Sequence, residues 1–206
     1  MTRQDIIERV KIVLDEFTPV HQGVVHPIDT YIDPILDDAV RRLLNEFPLS
    51  LLGVVSHPLP VAGGLVINGN RAVFTLPSSV LRVGTIQLSG WPRPVYEPEI
   101  KEPTDISRLW QLAPGITATP PRPRVFIHRK KVGLVDVLEI ECFGISSPSA
   151  SLTRLDVVSM CAPEDLDESL ITPFSYLIGS LVALFHERVD MANAIYSKYS
   201  AYILTA

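Results

Sequence analysis

The chain carries five histidines and two cysteines, and the spacing of these potential ligands limits the chemistry that it could perform. His21, His26 and Asp29 are close enough in sequence to suggest a metal site. Their spacing matches no established ligand pattern, so ordinary polar loop residues are the better interpretation. The sequence holds neither a His-Glu-x-x-His motif nor a paired-cysteine zinc motif. We therefore predict no metal ligands.

Motifs for nucleophilic catalysis and phosphate binding are also missing. The sequence has no Gly-x-Ser-x-Gly, and the glycine pair at Gly63-Gly64 is not continued by a phosphate-binding pattern. One run of carboxylates could supply acid/base groups: Glu97, Glu99, Glu102 and Asp105. This run lies in a proline-rich segment without a rigid scaffold, which favours solvated charges over a catalytic pair. We expect a protein that is not an enzyme, with no catalytic residues, no cofactor-binding residues and no cofactor.

Charge is distributed unevenly over the 206 residues, although the net charge is only −5. Residues 1–47 hold 5 Lys/Arg against 9 Asp/Glu, residues 48–131 hold 10 against 4, and residues 132–206 hold 3 against 10. A hydrophobic content of 47% excludes a disordered or fibrous chain. A basic middle segment therefore lies between acidic ends of a folded protein.

Hydrophobic periodicity predicts two helices at each end of the chain. Thr2 is a suitable N-cap for the first, which ends near Phe17, and the second covers about Ile28 to Phe47 with Pro34 in its first turns. Thr172-Pro173 predicts the start of a long helix that ends near Phe185, and a last helix covers about 189–202. The apolar run 171–185 is shorter than the roughly 20 residues that cross a bilayer, so we expect a buried helix and an intracellular, soluble protein.

The middle of the chain has the two-residue period of strands. A hairpin is predicted around Asn68-Gly69, because Asn-Gly favours tight hairpin turns. Further strands are predicted over 80–88, 125–128, 134–143 and 155–160, with 129–133 connecting the second and third of these. Residues 92–123 contain 8 of the 18 prolines. Proline cannot donate to a sheet ladder, so this segment is predicted to be a loop or an extended arm.

These elements predict an α+β fold with a four-helix bundle-like body and an inserted antiparallel β-rich domain. The N-terminal helices occupy residues 1–47 and the C-terminal helices residues 163–206. The insertion occupies residues 48–162 and includes the proline-rich arm 92–123. Two helices at each end of a chain can share one core from which an insertion projects.

The basic segment is the sharpest functional feature, because residues 106–135 contain no acidic residue. Such a segment could contact an acidic protein surface or nucleic acid, or it could be a solvated hairpin that keeps a sheet edge soluble. Arginine and large aromatic residues are enriched at protein interfaces, although a buried core is an equally good environment for each tryptophan. The candidate interface residues are Trp91, Arg93, Tyr96, Trp110, Arg122, Arg124, Arg129, Lys130 and Lys131.

Three segments and their order resemble the head-to-tail connector, or adaptor, proteins of tailed bacteriophages, in particular those of crAss-like phages. The first is the helix from Asp29 to Leu44, DTYIDPILDDAVRRLL. The second is FTLPSSVLR at 74–82, which leads into a strand, and the third is SGWPRPV at 89–95. The closing helices 171–202 complete the resemblance.

This resemblance implies a ring-forming structural protein of the virion neck, often in twelve copies, that is assembled in the host cytoplasm. The implied partners are other copies of the chain, the portal protein, further neck or tail proteins, and double-stranded DNA that passes without sequence-specific binding. No membrane is implied. Acidic helices would then face the DNA channel. The alternative is a small stand-alone DNA- or protein-binding module that uses the basic segment 122–131.

Overall fold

The computed structural model describes residues 2–17, 29–59, 61, 63–102, 104–113 and 117–204. In this part of the chain the fold is mixed α+β, with five α-helices and two β-sheets. The chain divides into a helical unit, Met1–Gly53 with Met160–Ala206, and a β unit, Val54–Ser159. The boundaries thus lie at 53/54 and 159/160, against 47/48 and 162/163 in the sequence-based division.

Four of the five helices belong to the helical unit. The helices are α1 (Arg3–Glu16), α2 (Asp29–Glu46), α3 (Ile106–Leu112), α4 (Glu168–Phe185) and α5 (Val189–Leu204). In the helical unit, α4 packs against α1, α2 and α5. Gly179 of α4 permits the close approach of α1, because a Cβ at this position would lie 3.0 Å from Cγ1 of Val13. Helix α4 is therefore the centre of this unit.

Two helix starts show how the local sequence sets the ends of these helices. Thr2 caps α1 as predicted, and Asp5 completes a capping box with it. The predicted start of α4 at Thr172-Pro173 is wrong. The helix begins five residues earlier, where the Asp167 carboxylate accepts a hydrogen bond from the Ser169 N–H. Burial of Leu170 and Ile171 stabilises this added turn even though Pro173 then lies inside the helix.

Helix α4 is also long and apolar enough to cross a membrane by length and composition, the one helix of the described chain for which this holds. Core helices meet the same criterion, and 61% of this segment is buried inside the protein. Its fully buried side chains include Phe174, Leu177 and Ile178. The contacts of α4 with three other helices account for this burial, in agreement with the prediction of a buried helix.

The β unit contains two sheets. Its strands are β1 (Val55–Ser56), β2 (Val66–Asn68), β3 (Arg71–Leu76), β4 (Val80–Leu88), β5 (Val95–Tyr96), β6 (Glu99–Ile100), β7 (Arg124–Val132), β8 (Val135–Phe143) and β9 (Leu152–Ser159). The order is β1-β9-β4-β5 in sheet A and β2-β3-β8-β7-β6 in sheet B. All pairings are antiparallel except that of β6 with β7.

The core of the β unit is formed by side chains from both sheets. Phe74 and Ile140 of sheet B belong to the same buried cluster as Ile86 and Val157 of sheet A. Cys142 is in this cluster, and complete burial raises the pKa of its thiol. Alternate residues of β3, β7 and β8 thus face this core, and the opposite face of sheet B is left for other contacts.

The described residues of the proline-rich segment 92–123 mostly lack regular structure, in agreement with the prediction of a loop, but they include short elements that join the sheets, so the alternative of an extended arm is wrong. Strand β5 joins the edge of sheet A, and β6 joins the edge of sheet B. Helix α3 follows β6, and Thr119 pairs with Arg122 in an isolated bridge. The prolines border these elements. Two-residue edge strands need few backbone donors, which makes them compatible with proline on either side.

The connection between β7 and β8 is shorter than predicted. Arg129 to Val132 continue β7, and their partners on β8 run in unbroken register to Val132↔Val135. Gly133 and Leu134 alone form the turn, with a φ of 65° at Gly133. Glycine at the first of two turn positions matches the preference of tight hairpins whose twist suits the flanking strands. The basic residues 129–131 therefore lie on a two-stranded ribbon and not in a loop.

Candidate protein-interaction surface

Glu141 of β8 is the centre of a buried charge cluster on the outer face of sheet B. Its side chain is 0% exposed and forms ion pairs with Arg71 of β3 and Arg108 of α3. His128 of β7 is also buried, with Nε2 3.1 Å from a Glu141 carboxylate oxygen and Nδ1 2.6 Å from the Lys101 carbonyl oxygen. The cluster connects three strands and the proline-rich segment.

Electrostatics explain how the carboxylate of Glu141 is accommodated. Burial by itself raises the pKa of a carboxyl group. Hydrogen bonds from Arg108 and His128 and the positive charges of both arginines outweigh this effect and lower the pKa of Glu141 to about 2. Glu141 is therefore ionised at neutral pH, and Arg108 is neutralised inside the protein. Arg108 is thus a structural residue of the basic segment and not part of its surface.

Helix α3 is oriented with its polar side towards the protein and its apolar side towards solvent. The Asp105 side chain caps the helix at the Ser107 N–H, Arg108 contacts Glu141, and Gln111 accepts a hydrogen bond from the Ala118 N–H. Four large apolar side chains of the helix are exposed: Ile106, Leu109, Trp110 and Leu112. We call these four residues the α3 patch. Contiguous exposed apolar residues on a folded chain indicate an interaction site.

The β7–β8 hairpin extends beyond its sheet. Strand β3 pairs with β8 only as far as Leu138, and β6 pairs with β7 only at Phe126 and Ile127. Within the described part of the chain, residues 130–137, which we call the hairpin tip, consequently pair only with each other. Such a ribbon projects by about 10 Å, and two-stranded ribbons are marginal without further support. A projecting ribbon is well suited to contact another molecule.

The candidate interface residues fall into three groups. Trp91 is buried at 4% exposure and its indole N–H donates to the Gly144 carbonyl oxygen at 2.9 Å, so its assignment to an interface is wrong. Its apolar surface is used in the core of the β unit. Trp110 is 52% exposed and belongs to the α3 patch. Exposed side chains also include Arg93, Tyr96, Arg122, Arg124, Arg129, Lys130 and Lys131.

The structure brings some of these residues together and separates others. Arg129, Lys130 and Lys131 lie at the base of the hairpin tip and within it, whereas Arg124 lies at the opposite end of β7. Lys130 pairs with Glu139 across the hairpin at 2.8 Å. Arg129 and Lys131 have no ion pair within the described part of the chain. The hairpin tip thus offers free positive charge to a partner.

Sequence reasoning missed the α3 patch and the exposed turn residue Leu134. The helical spacing of Ile106, Leu109 and Trp110 was a usable signal, but seven residues next to prolines are a weak indication of a helix. The direction of the helix depends on its contact with Glu141. Alternation along β8 predicts that the carboxylate of Glu141 faces solvent. The sequence gives no sign that α3 covers this carboxylate, because that contact joins residues that are distant in sequence.

The two units carry net charges of opposite sign. The helical unit holds 7 Lys/Arg against 15 Asp/Glu, a net charge of −8, and the β unit holds 11 against 8, a net charge of +3. Ion pairs inside the β unit, such as Arg108 with Glu141 and Arg154 with Asp156, neutralise part of its charge. The remaining positive charge is concentrated on exposed side chains of β7 and the proline-rich segment.

The described residues contain no group of three His, Cys, Asp or Glu side chains placed to hold a metal ion. His21 and His26, the histidines of the suggested metal site, lie outside the described residues. Cys161 is partly buried, and burial raises the pKa of its thiol.

Comparison of the chain with protein-family models, with curated proteins and with solved structures found no match.

Proposed function

We propose that this chain is a structural virion protein that forms a ring in the neck of a tailed bacteriophage, connects the portal to the tail and continues the DNA channel. In this proposal α1, α2, α4 and α5 form a four-helix bundle-like body from which the β unit is inserted. The resemblance of the helix 29–44 and of the segments 74–82 and 89–95 to head-to-tail connectors supports this function. The chain acts without catalysis or a cofactor, and its location is the neck of the virion.

The observation that carries the proposal is the opposite charge of the two units, −8 and +3. Opposite charges on different surfaces of one subunit favour head-to-tail contacts between copies, and such contacts close into rings. A helical unit rich in carboxylates lining the channel would repel passing DNA and keep it from binding. The portal and further neck or tail proteins would bind at the two ends of such a ring.

The oligomeric state of the purified chain tests this proposal. We expect native mass spectrometry to give one multiple of the subunit mass, with twelve copies as the leading expectation, and negative-stain images to show closed rings. Connector subunits can stay monomeric until their docking platform is present, so a monomeric chain is next mixed with portal rings. A chain that neither assembles alone nor binds portal rings contradicts the proposal.

A stand-alone module that binds DNA or protein through residues 122–131 is the second candidate. The exposure of Arg122, Arg124 and Arg129 favours it, because phosphate contacts require accessible cations. This candidate predicts a strict monomer whose DNA affinity falls steeply with salt. Measurement of DNA binding at two salt concentrations, beside the mass measurement, separates the two functions.

The α3 patch gives a prediction for assembly. Trp110→Ala is expected to weaken the contact between subunits roughly 30-fold, the effect of losing an interface residue worth about 2 kcal/mol. The free energy of unfolding of the monomer should change by less than about 0.5 kcal/mol, because Trp110 is half exposed. Sedimentation measures the first quantity and urea denaturation the second.

The matched control is Val66→Ala, which shortens an exposed apolar side chain of β2 in the same sheet system but outside the patch. This variant should assemble like the unmodified chain. Equal assembly of the Trp110 and Val66 variants would remove the α3 patch from the interface.

A further inference from the structure

The hairpin tip combines an apolar end with flanking positive charge. Leu134 stands fully exposed at the turn, with the half-exposed Val132 beside it. Tight hairpin turns are ordinarily occupied by glycine and small polar residues. A leucine is not needed to form this turn, and its exposed side chain is suited to contact another molecule. Arg129 and Lys131 are exposed and point to the same face of β7, since alternate residues of a strand share a face.

The helical unit contains a groove of complementary character. It has a volume of about 510 Å³ and lies between α1 and the start of α4. The buried Leu166 and Ile171 and the exposed Ile12 supply its apolar lining. Its charged lining residues are Asp5, Glu8, Glu168 and Arg9, three carboxylates against one cation. Asp5 is engaged in the capping box of α1, which leaves the exposed Glu8 and Glu168 available to a partner.

We propose that the hairpin tip of one copy of this chain docks into the α1–α4 groove of a second copy, with Leu134 on the apolar lining and Arg129 and Lys131 facing Glu8 and Glu168. This inference rests on the proposed function, since it assigns one contact between neighbouring subunits of the ring, in addition to that of the α3 patch. Charge complementarity selects a second copy as the occupant: residues 129–137 carry three cations against one carboxylate, Asp136, and the groove lining carries three carboxylates against one cation. A projecting tip and a separate groove on each subunit make the contact head-to-tail.

Crosslinking between two different variants tests the contact directly. Leu134→Cys and Ile12→Cys are made separately in a Cys161→Ser background, and the two proteins are mixed under mild oxidation. We expect a disulfide-linked dimer that contains one copy of each variant. Leu134→Cys mixed with Val66→Cys is the control, because Val66 is equally exposed but lies outside the groove. A yield no higher than in the control overturns the docking proposal, as does a disulfide that forms only when both cysteines are on one chain.

Charge reversal tests the electrostatic part. Arg129→Glu with Lys131→Glu, and separately Glu8→Lys with Glu168→Lys, are each expected to weaken self-association at least about tenfold, because each places like charges opposite each other. A chain with all four substitutions should recover association. Arg122→Glu with Arg124→Glu is the matched control, with the same change of net charge at the other end of β7. Circular dichroism verifies that each variant is folded.

The outcomes separate this inference from the proposed function. If the unmodified chain forms rings and the reversed hairpin assembles equally well, the docking contact is wrong and the ring remains. If the unmodified chain neither assembles alone nor binds portal rings, and the cysteine variants give no mixed crosslink, both are wrong. If the reversed hairpin loses salt-dependent DNA affinity while no mixed crosslink forms, the tip is a nucleic-acid contact and the docking proposal is overturned.

Discussion

Glu141→Gln is expected to lower the free energy of unfolding by about 3–5 kcal/mol, the usual cost of removing one partner from a buried ion pair. The Glu141 side chain is completely buried between Arg71 and Arg108, so the variant leaves both guanidinium groups without their counter-charge. The glutamine amide also places its own N–H donors next to the N–H groups of the arginines, which need acceptors. Urea denaturation of the two proteins at neutral pH measures the difference.

The control for this variant is Glu139→Gln, two residues earlier on the same strand and face. Glu139 pairs with Lys130 at an exposed site, where ion pairs contribute less than about 1 kcal/mol. Near-equal costs at the two positions would contradict the structural role assigned to the buried cluster. Hydrogen exchange adds a local measurement, because loss of the Arg108 contact should increase exchange at the amides of α3.

The difference in the free energy of unfolding between the native chain and Glu141→Gln should depend on pH, and this dependence tests whether the effect is electrostatic. Glu141 has a pKa of about 2 in the folded protein against 4.5 as its ordinary value. The ionised cluster therefore stabilises the fold fully above pH 4.5, and this contribution is lost as the pH falls from 4.5 towards 2. The gap between the native chain and Glu141→Gln should shrink across this window. A gap that stays constant over this range would assign the effect to packing instead of charge.

The parts of the fold that depend on local sequence are the parts that could be predicted. The Thr2 cap, the apolar stripe of α2 and the Asn-Gly turn each act over a few residues, and the corresponding helices and hairpin are present. Strand β4 occupies Val80–Leu88 as expected from its period.

The missed elements depend on contacts between residues that are distant in sequence. Strands β5 and β6 have two residues each and exist through pairing with Thr85, Ile86, Phe126 and Ile127. The orientation of α3 follows from the ion pair between Arg108 and Glu141, which are 33 residues apart. Composition correctly indicates that the segment is basic, but only the folded chain distinguishes the neutralised Arg108 from the exposed Arg129 and Lys131.

Gly144→Ala is the second substitution with a large expected effect, a loss of roughly 3 kcal/mol or more in the free energy of unfolding. Gly144 has a φ of 96°, and a Cβ there would lie 2.8 Å from the Thr119 carbonyl oxygen and 3.3 Å from Cα of Pro123. These are backbone atoms, so no side-chain rotation relieves the clash. Chemical denaturation measures the loss.

The cost is large because three segments meet at this glycine. Its N–H donates to Asn70 Oδ1 at 3.0 Å, and its carbonyl oxygen accepts the indole N–H of Trp91 at 2.9 Å. Displacement of the returning proline-rich segment therefore also disturbs the β2–β3 turn and a core tryptophan. The indole N–H resonance of Trp91 should shift in the variant, whereas that of the exposed Trp110 should not.

Gly133→Ala separates backbone strain from the clash. Gly133 also has a positive φ, 65°, but no atom lies within 4 Å of the position of its Cβ. Its substitution should lower the free energy of unfolding by about 1–2 kcal/mol, the cost of holding an alanine in the left-handed conformation. If Gly144→Ala lowers the free energy of unfolding no more than Gly133→Ala does, the segment around Thr119 moves away from the added Cβ at no cost in stability. A larger cost would mean that the proline-rich segment is fixed to the sheet at Gly144 as well as at Glu141, so that α3 presents its apolar patch from a rigid support.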